Sequence, residues 1–151
     1  MATNGWLTLS GGELNVNKIG EPTYGDLLIA GGGTFWMTGS SECHVEGNYD
    51  NRASATVQHN SSLRVDGGFA AGGSFRVNNN GSVTANGGMV LGETDAVTAE
   101  IHDSLVIVGS DLRFARGTMS LSNATVFLDS GDMRVGGDDG AGVGYQADVG
   151  I

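Results

Sequence analysis

Apolar residues spaced two apart recur in short bursts along the chain, with glycine, asparagine, serine and aspartate between the bursts. One burst, Glu13-Leu14-Asn15-Val16, returns as Glu42-Cys43-His44-Val45, Ser62-Leu63-Arg64-Val65, Ser82-Val83-Thr84-Ala85, Ser104-Leu105-Val106-Ile107 and Thr125-Val126-Phe127-Leu128. With Leu14, Cys43, Leu63, Val83, Leu105 and Val126 taken as equivalents, the steps are 29, 20, 20, 22 and 21 residues, and residues 17–25 form an insertion in the long first step. Each burst is preceded by another (Leu7/Leu9, Phe35/Met37, Ala55/Val57, Phe75/Val77, Ala99/Ile101, Met119/Leu121) and followed by a third (Leu27/Ile29, Phe69/Ala71, Met89/Leu91, Leu112/Phe114, Met133/Val135). The second coil offers only Tyr49 at that third place. Period-two alternation in short runs predicts strands, and no stretch carries a helical period.

Three strands per repeat of about 21 residues predict a solenoid in which each strand lies on its counterpart in the next coil. The expected fold is all-β: a short right-handed parallel β-helix of triangular section, with about six coils of 20–22 residues over 1–137. Residues 138–151 are expected to act as a Gly-rich cap, a partial coil or an oligomer contact. Sandwiches and barrels are disfavoured because they do not require the same motif at every third strand.

Composition gives the corners a chemistry. The 151 residues include 27 glycines and one proline, and the glycines fall between predicted strands, where a sharp turn needs positive φ. Asn60 and Asn80 follow Val57 and Val77 at the same distance and should stack on successive coils. Asp26, Asp111 and Asp132 each open a third strand, where Asx turns are expected.

With Lys+Arg 7 and Asp+Glu 17 the net charge is −10, so no basic stripe exists to displace counterions from a nucleic acid. No apolar run reaches the roughly 18 residues of a membrane span. Met1 to Gly5 show no signal-peptide pattern, so the expectation is either a protein not secreted by that route or an excised piece. Cys43 is the one cysteine, expected inside as a free thiol.

If the paired apolar positions face inward, the residue between them faces out. The first strands then present Thr8, Trp36, Thr56, Arg76, Glu100 and Ser120, and the second Asn15, His44, Arg64, Thr84, Val106 and Phe127. The third strands present Leu28, Ala70, Val90, Arg113 and Arg134. Leu28, Ala70 and Val90, continued by Val106 and Phe127, form an apolar outer surface, which points to self-association, with a trimer favoured and end-to-end stacking as a second mode. Trp36 beside Arg76 is the candidate sugar-stacking pair.

Signals for other chemistry are weak. Asp66, Asp95, Asp103 and Asp129 fall at corners, away from the mid-face groove that paired catalytic carboxylates need, and His44, His59 and His102 do not converge. No enzyme activity and no cofactor is expected. Gly136 to Gly142 holds one imperfect Gly/Asp calcium-type motif, expected to be a Gly-rich exit from the last coil. The outward threonines Thr8, Thr56 and Thr84 do not align as a water-ordering ladder would require.

Leu7 to Val16 and Gly131 to Gly137 resemble the Gly-rich strand repeats of autotransporter passenger regions and of bacterial surface proteins with a PEP-CTERM sorting tail. Phage tail and capsid-surface proteins use similar β-helices. The resemblance implies exposure at a virion or cell surface and usually no chemistry. The expected function is therefore a non-enzymatic structural and interaction module, most specifically a phage virion β-helix such as a capsid decoration or fibre-associated protein. The alternative is a carbohydrate-binding or adhesive domain of a larger secreted protein. A capsid protein and a surface glycan are the partners these two readings imply.

Overall fold

The computed structural model describes residues 6–16, 25–29, 32–138, 144–145 and 147–150. The predicted insertion at 17–25, apart from Gly25, and most of the Gly136 to Gly142 motif lie outside the described residues. The first three coils contain β1 (Trp6–Ser10), β2 (Glu13–Val16), β3 (Leu27–Ile29), β4 (Thr34–Thr38), β5 (Glu42–Val45), β6 (Tyr49–Asn51), β7 (Ser54–Gln58), β8 (Ser62–Val65) and β9 (Phe69–Ala71). The next three contain β10 (Gly73–Asn78), β11 (Ser82–Ala85), β12 (Met89–Leu91), β13 (Val97–His102), β14 (Leu105–Val108), β15 (Leu112–Phe114), β16 (Gly117–Ser122), β17 (Thr125–Leu128) and β18 (Met133–Val135). β19 (Gly137–Asp138) pairs antiparallel with β20 (Gly144–Tyr145), and β21 (Ala147–Gly150) lies parallel on β16.

Every third strand stacks. The first sheet runs β1-β4-β7-β10-β13-β16-β21, the second β2-β5-β8-β11-β14-β17 and the third β3-β6-β9-β12-β15-β18. Three parallel sheets joined corner to corner make the β-solenoid of triangular arrangement that the triplet pattern predicts. No described residue is helical.

The interior is one column. Phe35, Met37, Val57, Leu63, Phe75, Ile101, Leu112 and Phe114 are each at most 1 % exposed. An aromatic series rises through it: Tyr49 stacks on Phe69 at 4.7 Å, while Phe35 meets Tyr49 and Phe75 meets Phe69 edge-on at 5.7 and 5.3 Å. The missing apolar partner of Tyr49 is Asn51, buried in the place others give to alanine, leucine or phenylalanine. Its Nδ2 donates to the Tyr49 hydroxyl at 2.9 Å and to the Ser54 carbonyl, and its Oδ1 accepts from Ala53 N, so no polar atom is stranded. Cys43 is buried as expected, and desolvation pushes its thiol up to about 11, which keeps it protonated and unreactive at neutral pH.

The corners differ from expectation in how they are tied. Two of the three aspartates that open third strands reach to the next coil, Asp26 Oδ1 accepting from Asn48 N at 2.7 Å and Asp111 Oδ1 from Asp132 N at 2.9 Å, while the Asp132 carboxylate pairs with Arg134 of its own coil. Asn48 repeats the device, its Oδ1 accepting from Gly68 N at 2.8 Å. A carboxylate or amide on one coil thus caps a backbone donor of the coil above, in place of an Asx turn within its own. Asn60 and Asn80 do share a left-handed conformation, with φ of 60° each. Their stacking bonds are made by the backbone, from Asn60 N to Asn79 O and from Asn80 N to Asp103 O.

Gly73 shows why some corners admit only glycine. Its φ is +63°, and an added Cβ would lie 2.1 Å from the carbonyl oxygen of Ala53 on the coil below. Gly12 meets nothing within 4 Å. We expect Gly73→Ala to cost more than about 2 kcal/mol, because left-handed strain adds to a backbone clash, and Gly12→Ala to cost almost nothing. Urea unfolding of the two variants measures the contrast; equal midpoints would refute this account of the corners.

Candidate functional site

The first sheet presents its outer residues in the predicted order. Strand register aligns Thr8, Trp36, Thr56, Arg76, Glu100 and Ser120 in one row. Trp36 is 38 % exposed. Arg76 is not beside it: Thr56 of the intervening coil separates them by two strand spacings, roughly 10 Å. The Arg76 guanidinium is also engaged, its Nε donating to Glu100 at 2.7 Å. The sugar-stacking pair therefore resolves into a lone tryptophan and an ion pair. A second row on this sheet, Thr34, Ser54, Ser74, Thr98 and Thr118, does align hydroxyls on five successive coils. It went unread because only the central residue of each strand was followed. The bulk of Trp36, Arg76 and Glu100 beside it breaks the flat surface that ordering water would need.

On the second sheet one expected residue moves inside. Val106 is 1 % exposed and sits in register with Val83 and Val126, so the true steps are 106 − 83 = 23 and 126 − 106 = 20 residues. Leu105-Val106-Ile107-Val108 is apolar throughout and carries no period-two phase of its own. The preceding corner sets the phase. Ile107 and Leu105 consequently face outward, Leu105 at 39 % exposure, and Ile107 is the register neighbour of Phe127, which is 53 % exposed as expected.

The apolar stripe of the third sheet is interrupted. Its outer row reads Leu28, Asp50, Ala70, Val90, Arg113 and Arg134. Leu28 is 52 % exposed but is cut off from Ala70 and Val90 by Asp50, whose carboxylate takes two donors from Arg52 at 2.9 and 3.1 Å. Arg113 reaches Glu93 at 3.5 Å and Arg134 reaches Asp132 at 3.6 Å. The interruption was hidden because the second coil lacks the apolar pair by which third strands were recognised.

The most connected titratable group is Asp66, at the corner between the second and third sheets. It accepts from His44 Nε2 at 2.7 Å, Arg64 Nε at 3.0 Å and Asn86 Nδ2 at 2.7 Å, joining three coils. These donors, His44 first, hold its carboxyl below the ordinary 3.8. With donors on three coils this carboxylate acts as a clamp between them. Among the described residues no cluster of three or more histidine, cysteine, aspartate or glutamate side chains could hold a metal ion. No family model, curated protein or solved structure matches this chain.

Because the folded carboxyl of Asp66 titrates lower than the unfolded one, its contribution to stability is complete above about pH 3.8 and is lost as pH falls below that value. Asp66→Asn should lower the unfolding midpoint at pH 6 and lose less than wild type between pH 5 and pH 3. A constant difference across that range would show that the Asp66 cluster is not what acid disrupts.

Proposed function

We propose that the chain is a non-catalytic structural module, displayed on a virion or cell surface, that self-associates through the end of its sixth coil. The observation that carries this reading is the exposure of apolar side chains there. Met133 and Val135, which continue the interior rows of Leu112 and Phe114, are 44 % and 48 % exposed, and Phe127 stands out from the second sheet of the same coil. Among the described residues β17 and β18 are the last strands of their sheets, so a strand edge lies beside that apolar surface, while the first sheet continues into β21.

Other features support a structural role. The paired charges and corner carboxylates tie coil to coil: Asp66 to His44 and Asn86, Arg76 to Glu100, Arg113 to Glu93, Asp111 to the backbone of Asp132. Surface display follows from the resemblance of the repeats to those of surface and virion β-helices. A second copy is the natural occupant of the sixth-coil end, because two such ends brought together by a twofold axis are self-complementary in both apolar surface and strand edge. Three copies packed along their lengths would lack the continuous apolar stripe that a lateral trimer requires, since Asp50 interrupts it.

Light scattering on the purified chain is expected to give a mass above the 15.4 kDa monomer at micromolar concentration, and Phe127→Asp is expected to return it to the monomer with unchanged unfolding. A wild-type monomer at about 100 µM, where an association weaker than roughly 5 kcal/mol would go unseen, would overturn the reading.

A further inference from the structure

The corner between the first and second sheets changes length along the solenoid. In coils two to four the inward residues on either side are separated by residues 38–42, 58–62 and 78–82, whereas in coils five and six residues 102–105 and 122–125 span the same turn. The longer corners carry two left-handed residues, as at Asn79 and Asn80, and the shorter ones a single one, Asp103 or Asn123. The step from long to short leaves a depression of about 760 Å³ that crosses coils three to six.

Its lining is mostly polar and uncharged. Asn60, Asn79, Asn80 and Asn123 supply amides, Asp103 supplies one carboxylate and Leu105 an apolar patch, with His59, Ser82 and Ser104 also on the wall. Among the described residues the side chains of Asn60 and Asn80 make no hydrogen bond, because the backbone already stacks this corner. Each amide offers two donors and an acceptor. Asn123 Nδ2 donates to Asp103 Oδ1 at 2.6 Å, which orients the carboxylate and leaves its other oxygen to accept.

We infer that this corner groove binds a neutral glycan chain lying along the solenoid axis. Hydroxyl groups both donate and accept, as amides do, so a row of amides matches a polyol. A phosphate or sulfate would meet the Asp103 carboxylate in a lining that has no lysine or arginine and whose one imidazole, His59, is bonded through Nδ1 to the Thr38 hydroxyl, and a single carboxylate is too few for calcium, which takes several charged oxygens. Leu105 suits the apolar face of a sugar ring. Coil spacing of roughly 4.8 Å repeats the amides at a period near the rise of an extended glycan, so successive rings can meet successive coils.

The test uses NMR titration of the isotope-labelled chain with maltoheptaose, cellohexaose and chitohexaose, reading the side-chain amides of asparagine. Glycine is the informative replacement, since it adopts the φ of 60° found at Asn60 and Asn80 more easily than asparagine does, so the fold is kept while the amides are removed. At least one oligosaccharide should shift the Asn60 and Asn80 side-chain amides. Asn60→Gly with Asn80→Gly should weaken its binding about tenfold or more, as loss of two hydrogen bonds implies. Phe127→Asp should leave it unchanged, which separates this site from the self-association surface. Absence of shifts with all three sugars, shifts confined to the Trp36 face, the same shifts with calcium alone, or undiminished binding by the double variant would each overturn the inference.

Discussion

Everything in this molecule follows from the requirement that each strand hydrogen-bond to its equivalent one coil away. Parallel pairing at roughly 4.8 Å leaves no freedom of phase: an inward side chain must rest on an inward side chain, or a whole strand turns its apolar face to water. That constraint aligns Leu14 with Cys43, Leu63, Val83, Val106 and Val126 although the sequence distance between neighbours varies from 20 to 29 residues. The column of buried apolar residues is the consequence, and the aromatic contacts from Phe35 to Phe75 show that its layers interlock vertically as well as across the section.

Because the strands cannot slip, the corners absorb every irregularity. One coil turns on Gly39 and Ser40, the next on His59 and Asn60, and later ones on Asp103 or Asn123 alone, all with positive φ. The extra residues Glu93 to Ala96 are accommodated at another corner without disturbing the pairing of β12 with β15 or of β10 with β13. Variation tolerated only at corners concentrates exposed polar groups there, so a depression arises where one corner length gives way to another.

This division explains what could be read in advance. Triplets of alternating strands, the triangular stack, the inward place of Cys43 and the outer row from Thr8 to Ser120 were legible because alternation is visible wherever apolar and polar residues take turns. Phase was illegible at Leu105 to Val108, where four apolar residues in succession erase the alternation and the length of the corner at Asp103 and Ser104 decides which face each takes. Asn51 was illegible for the opposite reason: a polar residue occupies an inward position, and only its bonds to Tyr49, Ala53 and Ser54 make that burial tolerable. The separation of Trp36 from Arg76 could have been found by counting coils, since one belongs to the second and the other to the fourth. The groove could not, because it depends on a difference between corners that look equally rich in turn-forming residues.

The acid excess takes its meaning from the same geometry. Seventeen acidic residues cannot be neutralised by seven basic ones, and in a stack of short coils the unpaired carboxylates would repel along the axis. Several are instead spent on hydrogen-bond donors that carry no net charge: Asp26 and Asp111 on backbone N–H groups of the next coil, and Asp103 on the amide of Asn123. Asp66 shows the combined solution, sharing its two oxygens among an imidazole, a guanidinium and an amide from three coils. Such bonds are directional, so they hold the coils in register, and those made to neutral donors leave the outer surface negative. Against that negative surface two places differ in character: the end of the sixth coil, where Met133, Val135 and Phe127 are exposed, and the corner between the first and second sheets, where asparagine amides gather.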